Sequence, residues 1–222
     1  MTTEELFPIT LSLRVGLAAV AIVTPFGVAL AWFQARVRYR MRSVVDALVL
    51  LPLVLPPSVV GFVLVVVLGR RGLVGGALDR LGVRLMFTPA AAVIASAIVA
   101  LPLLVKTAQP AIEAVPEAFE GVARTLGLSP VAVVVRVTLP AAWRGILAGM
   151  VLAFARAVGE FGATLMFAGN VPGRTNTMPL EIFALFLSGD DARAAEYVGA
   201  LTAFSLGVVL VAGRVGSARL TR

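Results

Sequence analysis

Four runs without Asp, Glu, Lys or Arg, namely Val15 to Ala35, Ala47 to Gly69, Leu85 to Val105 and Tyr197 to Gly213, limit this chain to structures that a lipid bilayer accepts. A helix needs about 20 apolar residues to cross the hydrocarbon core, where each backbone amide and carbonyl must find its partner inside the segment. A fifth apolar block, Ala141 to Ala168, is interrupted only by Arg144, Arg156 and Glu160. The sequence therefore predicts an all-α, polytopic membrane protein. It reads as a single transmembrane domain over 1–222, with about five spans near 10–35, 44–69, 86–108, 141–168 and 196–214 and a hydrophilic loop over 110–140. Composition agrees, since 59% hydrophobic residues, 14% charged residues and a mean hydropathy of +0.99 lie far from soluble domains. The opening MTTEELFPIT carries acids where a secretory signal has its basic region, so the first span is expected to be retained.

Five spans put the termini on opposite sides, and the basic residues choose between the two orientations. With the N-terminus outside, 11 fall in cytoplasmic segments (Arg36, Arg38, Arg40, Arg42, Lys106, Arg124, Arg136, Arg144, Arg214, Arg219, Arg222) and 7 outside (Arg14, Arg70, Arg71, Arg80, Arg84, Arg174, Arg193). That bias predicts a multi-pass protein of the cytoplasmic membrane with the N-terminus outside and the C-terminus in the cytoplasm. It also accounts for the net charge of +7 without nucleic acid, for which no basic patch interleaved with aromatics exists.

Missing residue types narrow the chemistry. With no His and no Cys, a Ser/His intramembrane protease, a thiolate nucleophile and the common zinc sites are excluded, so no catalytic residue and no metal ligand is expected. Lys106 is the one lysine and does not follow the glycine of a phosphate-binding loop. Any ATP and magnesium must therefore be bound by a separate subunit, and this chain holds no cofactor of its own. Five spans are few for a complete pathway, and dimerisation would supply the other half.

The hydrophilic segment Pro116 to Pro140 is patterned as helix, turn and helix. Pro116 suits a first turn, Glu117 and Glu120 complement its positive end, Gly127 can take the left-handed conformation that stops it, and Ser129 with Pro130 restarts a helix. Phe119, Val122, Ala123 and Leu126 fall at i, i+3, i+4 and i+7 on one apolar face, with Glu120 and Arg124 paired on the opposite side. Such a short apolar knob is a docking element for a partner's groove.

Two spans carry features that a plain lipid-facing helix avoids. Pro52, Pro56 and Pro57 lie within six positions of the second span, so unpaired carbonyls are expected there, tolerated only where protein covers them or a watery pathway wets them. Ser58 follows and can satisfy a freed group. A pathway gate and a packing kink covered by a neighbouring helix both fit. In the fourth span Gly149, Ala153, Arg156, Glu160 and Thr164 share one helical face. A charge in mid-span costs about 3 kcal/mol on insertion scales, so Arg156 and Glu160 are expected to pair, either as a structural lock or as a device that favours anions in the pathway. Gly145, Gly149, Gly159 and Gly162 would let another helix come close. Gly169 to Thr177 is composed as a loop with neutral donors, Asn170, Thr175 and Asn176, beside Arg174, and the Asp79 to Phe87 stretch is amphiphilic.

The 116–140 segment resembles the cytoplasmic loop of binding-protein-dependent ABC importer permeases, whose pattern is Glu-Ala-Ala, three residues, Gly, nine residues, Ile-x-Leu-Pro. Gly127, Val137, Leu139 and Pro140 keep that spacing and Ala123 matches the second alanine, while Gly121 and Val122 replace the usual Glu and first Ala. LPLVLPPSVVG, the GRRG at 69–72, LAFARAVGEFGAT and GNVPGRTNTMPLEIF together resemble the molybdate ABC transporter permease subunits, over nearly the whole chain. Longer sulfate/thiosulfate permeases share the GEFGA region. The resemblance implies the type I importer permease fold. It implies a homodimeric pathway for the oxyanion, two cytoplasmic ATP-binding subunits docked on Phe119, Glu120, Val122, Ala123, Leu126, Gly127, Leu139 and Pro140, and an extracytoplasmic oxyanion-binding protein. Asn170, Arg174, Thr175 and Asn176 would meet that protein, and Pro52, Pro56, Pro57, Ser58, Arg156, Glu160 and Thr164 would line or gate the pathway. A stand-alone oligomeric anion channel is the reading from another class, with 116–140 then only an interfacial element.

Overall fold

The computed structural model describes residues 3–217, and the side chains of 5–214. Arg219 and Arg222, counted in the charge bias, lie outside the described residues. Among these residues every regular element is helical. Helix α1 (Thr3–Arg36) runs the full length of the molecule, and α5 (Pro89–Glu113) returns beside it as the most buried helix. Thr88 caps α5, its hydroxyl accepting from the Ala91 amide at 3.3 Å, and Pro89 occupies the first turn where no amide is needed. Small side chains on α5 let its neighbours approach: Ala91, Ala92, Ala95 and Ala100 are fully buried, packed with Leu11 and Val15 of α1 at one level and Ala19, Val20 and Val23 at the next.

The second span is two helices, α2 (Arg42–Val54) and α3 (Pro57–Leu68), bent by 108°. The break falls at Leu55 and Pro56, while Pro52 lies inside α2, so only the Pro56–Pro57 pair turns the chain. Pro57 then opens α3 in the first turn, the position that tolerates it. Among the described residues four helices are long and apolar enough to cross a membrane, or five where the bent pair counts as one span. Helix α4 (Leu73–Arg80) follows and takes in the start of the amphiphilic 79–87 stretch, whose remainder is turn and irregular chain, closed where the Phe87 amide meets the Phe167 carbonyl at 3.4 Å.

The 110–140 loop is smaller than its sequence suggests. Helix α5 extends to Glu113, and the hairpin comprises α6 (Glu117–Thr125) and α7 (Pro130–Val133). No boundary separates α7 from the fourth span: a π-helical turn, Val134–Thr138, joins it directly to α8 (Leu139–Val158). Pro140 has no amide to offer and its ring obstructs the carbonyl four residues back, and the wider turn, with the Leu139 amide on the Val134 carbonyl, accommodates it without stopping the helix. At its far end the fourth span departs from the expected 141–168, because α8 ends at Val158 and a short α9 (Gly162–Phe167) follows. After the 169–177 loop comes α10 (Met178–Ser188), a short apolar helix that the span count does not include, and then α11 (Asp191–Ser217) packs antiparallel on α8 through Phe154 and Phe204.

The two ends of the bundle are tied differently. At the α6–α7 end, Arg42 pairs with Glu113 at 3.0 Å, and Gln34, fully buried, donates to Asp46, which also pairs with Lys106 at 2.5 Å. At the opposite end Ser12 accepts from the Met178 amide at 2.7 Å, Tyr197 donates to the Glu5 carbonyl, and Arg193 pairs with Glu5 at 3.2 Å.

Candidate functional site

The candidate docking hairpin is built from its turn outward. Gly127 has φ +85, and its amide bonds the Arg124 carbonyl at 3.0 Å while the Leu128 amide reaches Ala123 at 3.1 Å, the paired bonds of a Schellman stop. Ser129 restarts the chain, accepting from the Ala132 amide. On α6 the exposed apolar side chains are Phe119, Val122 and Leu126, at 57%, 59% and 75% exposure. Ala123 does not belong to that face, being buried with Glu120 on the inner side of the helix. Glu120 likewise leaves the solvent side assigned from its pairing with Arg124. That pair exists at 3.5 Å, but the carboxylate is 5% exposed and its principal partners are Arg36 and Thr138, each at 2.8 Å. Helical spacing alone could not separate the two faces of a nine-residue helix with apolar residues on both. Leu139 is half-buried and Pro140 exposed at the base of the hairpin.

The broken second and fourth spans meet. A Cβ on Gly162, at the start of α9, would stand 2.9 Å from the Pro57 Cβ and 3.2 Å from the Ser58 amide nitrogen, so only glycine permits this approach. Beside the contact, Arg156 Nη1 lies 2.7 Å from Glu160 Oε2, and Glu160 Oε1 accepts from the Ala163 amide at 2.8 Å. The carboxylate thus serves both the guanidinium on the last turn of α8 and the unpaired amide at the start of α9, across the break at Gly159. Its side chain is 1% exposed and that of Arg156 25%. Thr164 is buried and its hydroxyl has no hydrogen-bond partner among the described residues. Pro56, Pro57 and Ser58 are exposed and Pro52 half-buried. Of the pathway candidates, those with surface to offer are therefore Pro56, Pro57, Ser58 and Arg156, while Glu160 holds Arg156 from within and Thr164 is buried. Gly145 and Gly149 face Ala111, Leu104 and Thr107 of α5 in the same chain, so their closeness serves the internal packing of α5 on α8.

The 169–177 loop divides in the same way. Thr175 is fully buried and ties the loop to itself, donating to the Gly169 carbonyl and accepting from the Val171 amide, both at 2.9 Å. Asn176 is 6% exposed and donates to Glu181 at 3.1 Å; Asn170 donates to the Leu180 carbonyl at 3.2 Å. Thr175 and Asn176 are therefore removed from the set that a docking protein can touch in this conformation, and Arg174 is the exposed charged group. Thr175 satisfies the backbone of a loop that must hold its shape without a helix, and Asn176 fastens the loop to Glu181 of α10.

Sequence reasoning missed Arg36 and Thr138, which hold Glu120, and the Gln34, Asp46 and Lys106 cluster. Arg36 had entered only the orientation count, and nothing local marks its link to a residue 84 positions away.

Three comparisons bear on this geometry. The family described as binding-protein-dependent transport system inner membrane component matches residues 15–217. The molybdenum transport system permease protein ModB of Escherichia coli (strain K12) is 41% identical over 198 residues, 88% of this chain and 86% of that protein. Its namesake in Mycobacterium tuberculosis is 44% identical over 185 residues, 83% and 70% of the two chains, and a probable molybdenum ABC transporter permease protein of Haloferax volcanii is 42% identical over 88% and 70%. Among solved structures, a bacterial ABC transporter involved in the import of the acidic polysaccharide alginate superposes with a TM-score of 0.75 at 19% identity, covering all of this chain and 82% of that one. An amino acid ABC transporter with histidines superposes at 0.60 and 18%, over 95% and 94%. The broken spans, the protruding hairpin and the all-helical bundle are thus the ABC importer permease fold, and the chain belongs to the binding-protein-dependent transport system inner membrane component family.

Proposed function

We propose that this chain is the membrane subunit of a molybdate importer, accepting tungstate as well, and that it works as a homodimer with two separate cytoplasmic ATPase subunits and an extracytoplasmic oxyanion-binding protein. The observation that carries the reading is the identity of 37–44% over most of the chain to permeases named for molybdenum. The exposed Phe119, Val122 and Leu126 supply the apolar knob that an ATPase groove would receive. The charge bias supports the N-terminus outside and the α6–α7 end in the cytoplasm. ATP and magnesium belong to the partner, because the chain has no phosphate-binding loop of its own.

Mechanically, α7 continues into α8 through the π turn, so a displacement of the docked hairpin is delivered to the fourth span without a flexible joint. At the other end of that span lies the contact of α9 with Pro57, where two broken spans meet, the arrangement suited to opening and closing a pathway by tilting. Few polar groups line it. Ser58 and Arg156 provide a donor and a positive charge for a tetrahedral dianion, and weak, brief binding is what passage requires, so selection between oxyanions falls to the external binding protein. The test is uptake of labelled molybdate by the complete complex in vesicles, with excess tungstate, sulfate or phosphate as competitor. Strong competition by tungstate and little by sulfate is expected. Uptake of sulfate with molybdate ignored would move the chain to the sulfate/thiosulfate permeases.

A further inference from the structure

The docking helix is attached to the first span by one buried side-chain pair. Arg36, the last residue of α1, donates from Nε to Glu120 Oε1 at 2.8 Å and from Nη2 to the Val115 carbonyl at 2.7 Å. Thr138, in the π turn, donates to the same Glu120 oxygen at 2.8 Å. Three segments far apart in sequence therefore converge on one guanidinium and one carboxylate: the end of α1, the turn between α5 and α6, and the base of α8. The paired side chains are 9% and 6% exposed. A buried ion pair adds little stability over an apolar replacement, but the planar fork of arginine fixes both of its partners in one geometry. Without it, α6 would keep the Thr138 hydrogen bond to Glu120, the packing of Ala123 and its two flanking turns, but would lose its side-chain tie to α1.

We infer that Arg36 is a positioning residue for energy coupling: it delivers displacement of the docked α6 to α1, a second route beside the covalent one from α7 into α8. This rests on the importer reading. A load on α6 then moves α1 and α8 together, and the groove of about 670 Å³ between them, lined by Thr24, Trp32, Val135 and Trp143 among others, keeps its shape as they move.

The experiment uses the complete complex with its ATPase and binding protein in vesicles, and reads molybdate carried per ATP hydrolysed, alongside recovery of the ATPase with the permease. Arg36→Met should lower that ratio roughly tenfold, the order of a coupling residue's effect, while the ATPase still co-purifies. Arg36→Lys, which keeps the charge but lacks the planar fork that fixes both partners at once, should lie between. A purely structural role predicts fewer complexes, each with the wild-type ratio, and that result overturns the inference. If Arg36→Met yields no protein, Arg36→Lys decides: a lowered ratio sustains the inference and a wild-type ratio ends it. A wild-type complex that hydrolyses ATP without carrying molybdate would instead sink the importer reading itself, and the role of Arg36 with it.

Discussion

Arg156 and Glu160 show what a charged pair does where a span is broken. Removing Arg156 leaves a carboxylate 1% exposed with only the Ala163 amide for compensation, a loss of about 3–5 kcal/mol for a broken buried pair. Arg156→Ala should therefore lower the yield and melting temperature of the detergent-solubilised protein, and the added Glu160→Gln, whose amide oxygen still accepts from Ala163, should restore them. Uptake by the restored double variant then reads the pathway role alone: a normal rate assigns the pair to structure, and a lost rate assigns Arg156 to the anion. Gly127 is a simpler case. At φ +85 any side chain is strained by about 1–2 kcal/mol, although open space surrounds the site. Gly127→Val should fray the Schellman stop and weaken ATPase binding, measured by pulldown, while the spans insert normally.

At the scale of elements, α6 is divided between an outer face that offers apolar surface and an inner face that fastens it. Leu126→Asp changes only the outer face, where the side chain is 75% exposed, so it should abolish ATPase co-purification with no loss of permease in the membrane. Undiminished binding with intact uptake would remove α6 from the docking role. The meeting of α3 with α9 makes a second prediction. Gly162→Leu would drive its side chain into Pro57 and the Ser58 amide, forcing the two broken spans apart. Uptake should fall well below what the surviving protein accounts for, as counted by quantitative blot of the membrane fraction. The hairpin, its caps at Gly127 and Ser129 and the broken second span were legible because each rests on local chemistry: a glycine where φ is positive, a hydroxyl before a proline, a proline pair that cannot continue a helix. Helix α10 and the break at Gly159 were not, since the first is too short to register as a span and the second interrupts an apolar run that reads as one helix.

For the molecule as a whole, the purified chain alone should neither bind nor hydrolyse ATP, with activity appearing only when an ATPase subunit is added; a nucleotide-binding titration and a phosphate-release assay check this. Turnover by the chain alone at the rate of a transport ATPase would contradict it. The bilayer explains why so much of the fold could be read in advance. Hydrocarbon admits only segments that satisfy their own backbone, so the four to five long apolar helices and their order along the chain follow from where charges are absent. Family membership was legible too, because Gly127, Leu139 and Pro140 keep their spacing and the GEFGAT and GNVPGRTNT motifs stand intact. Which face of α6 looks outward, which members of the 169–177 loop are spent on holding its shape, and which residues grip Glu120 were decided only in three dimensions. Burial and ion pairing depend on what a neighbouring helix brings to the same place, and Arg36, Val115, Glu120 and Thr138 are scattered over more than 100 positions of the chain.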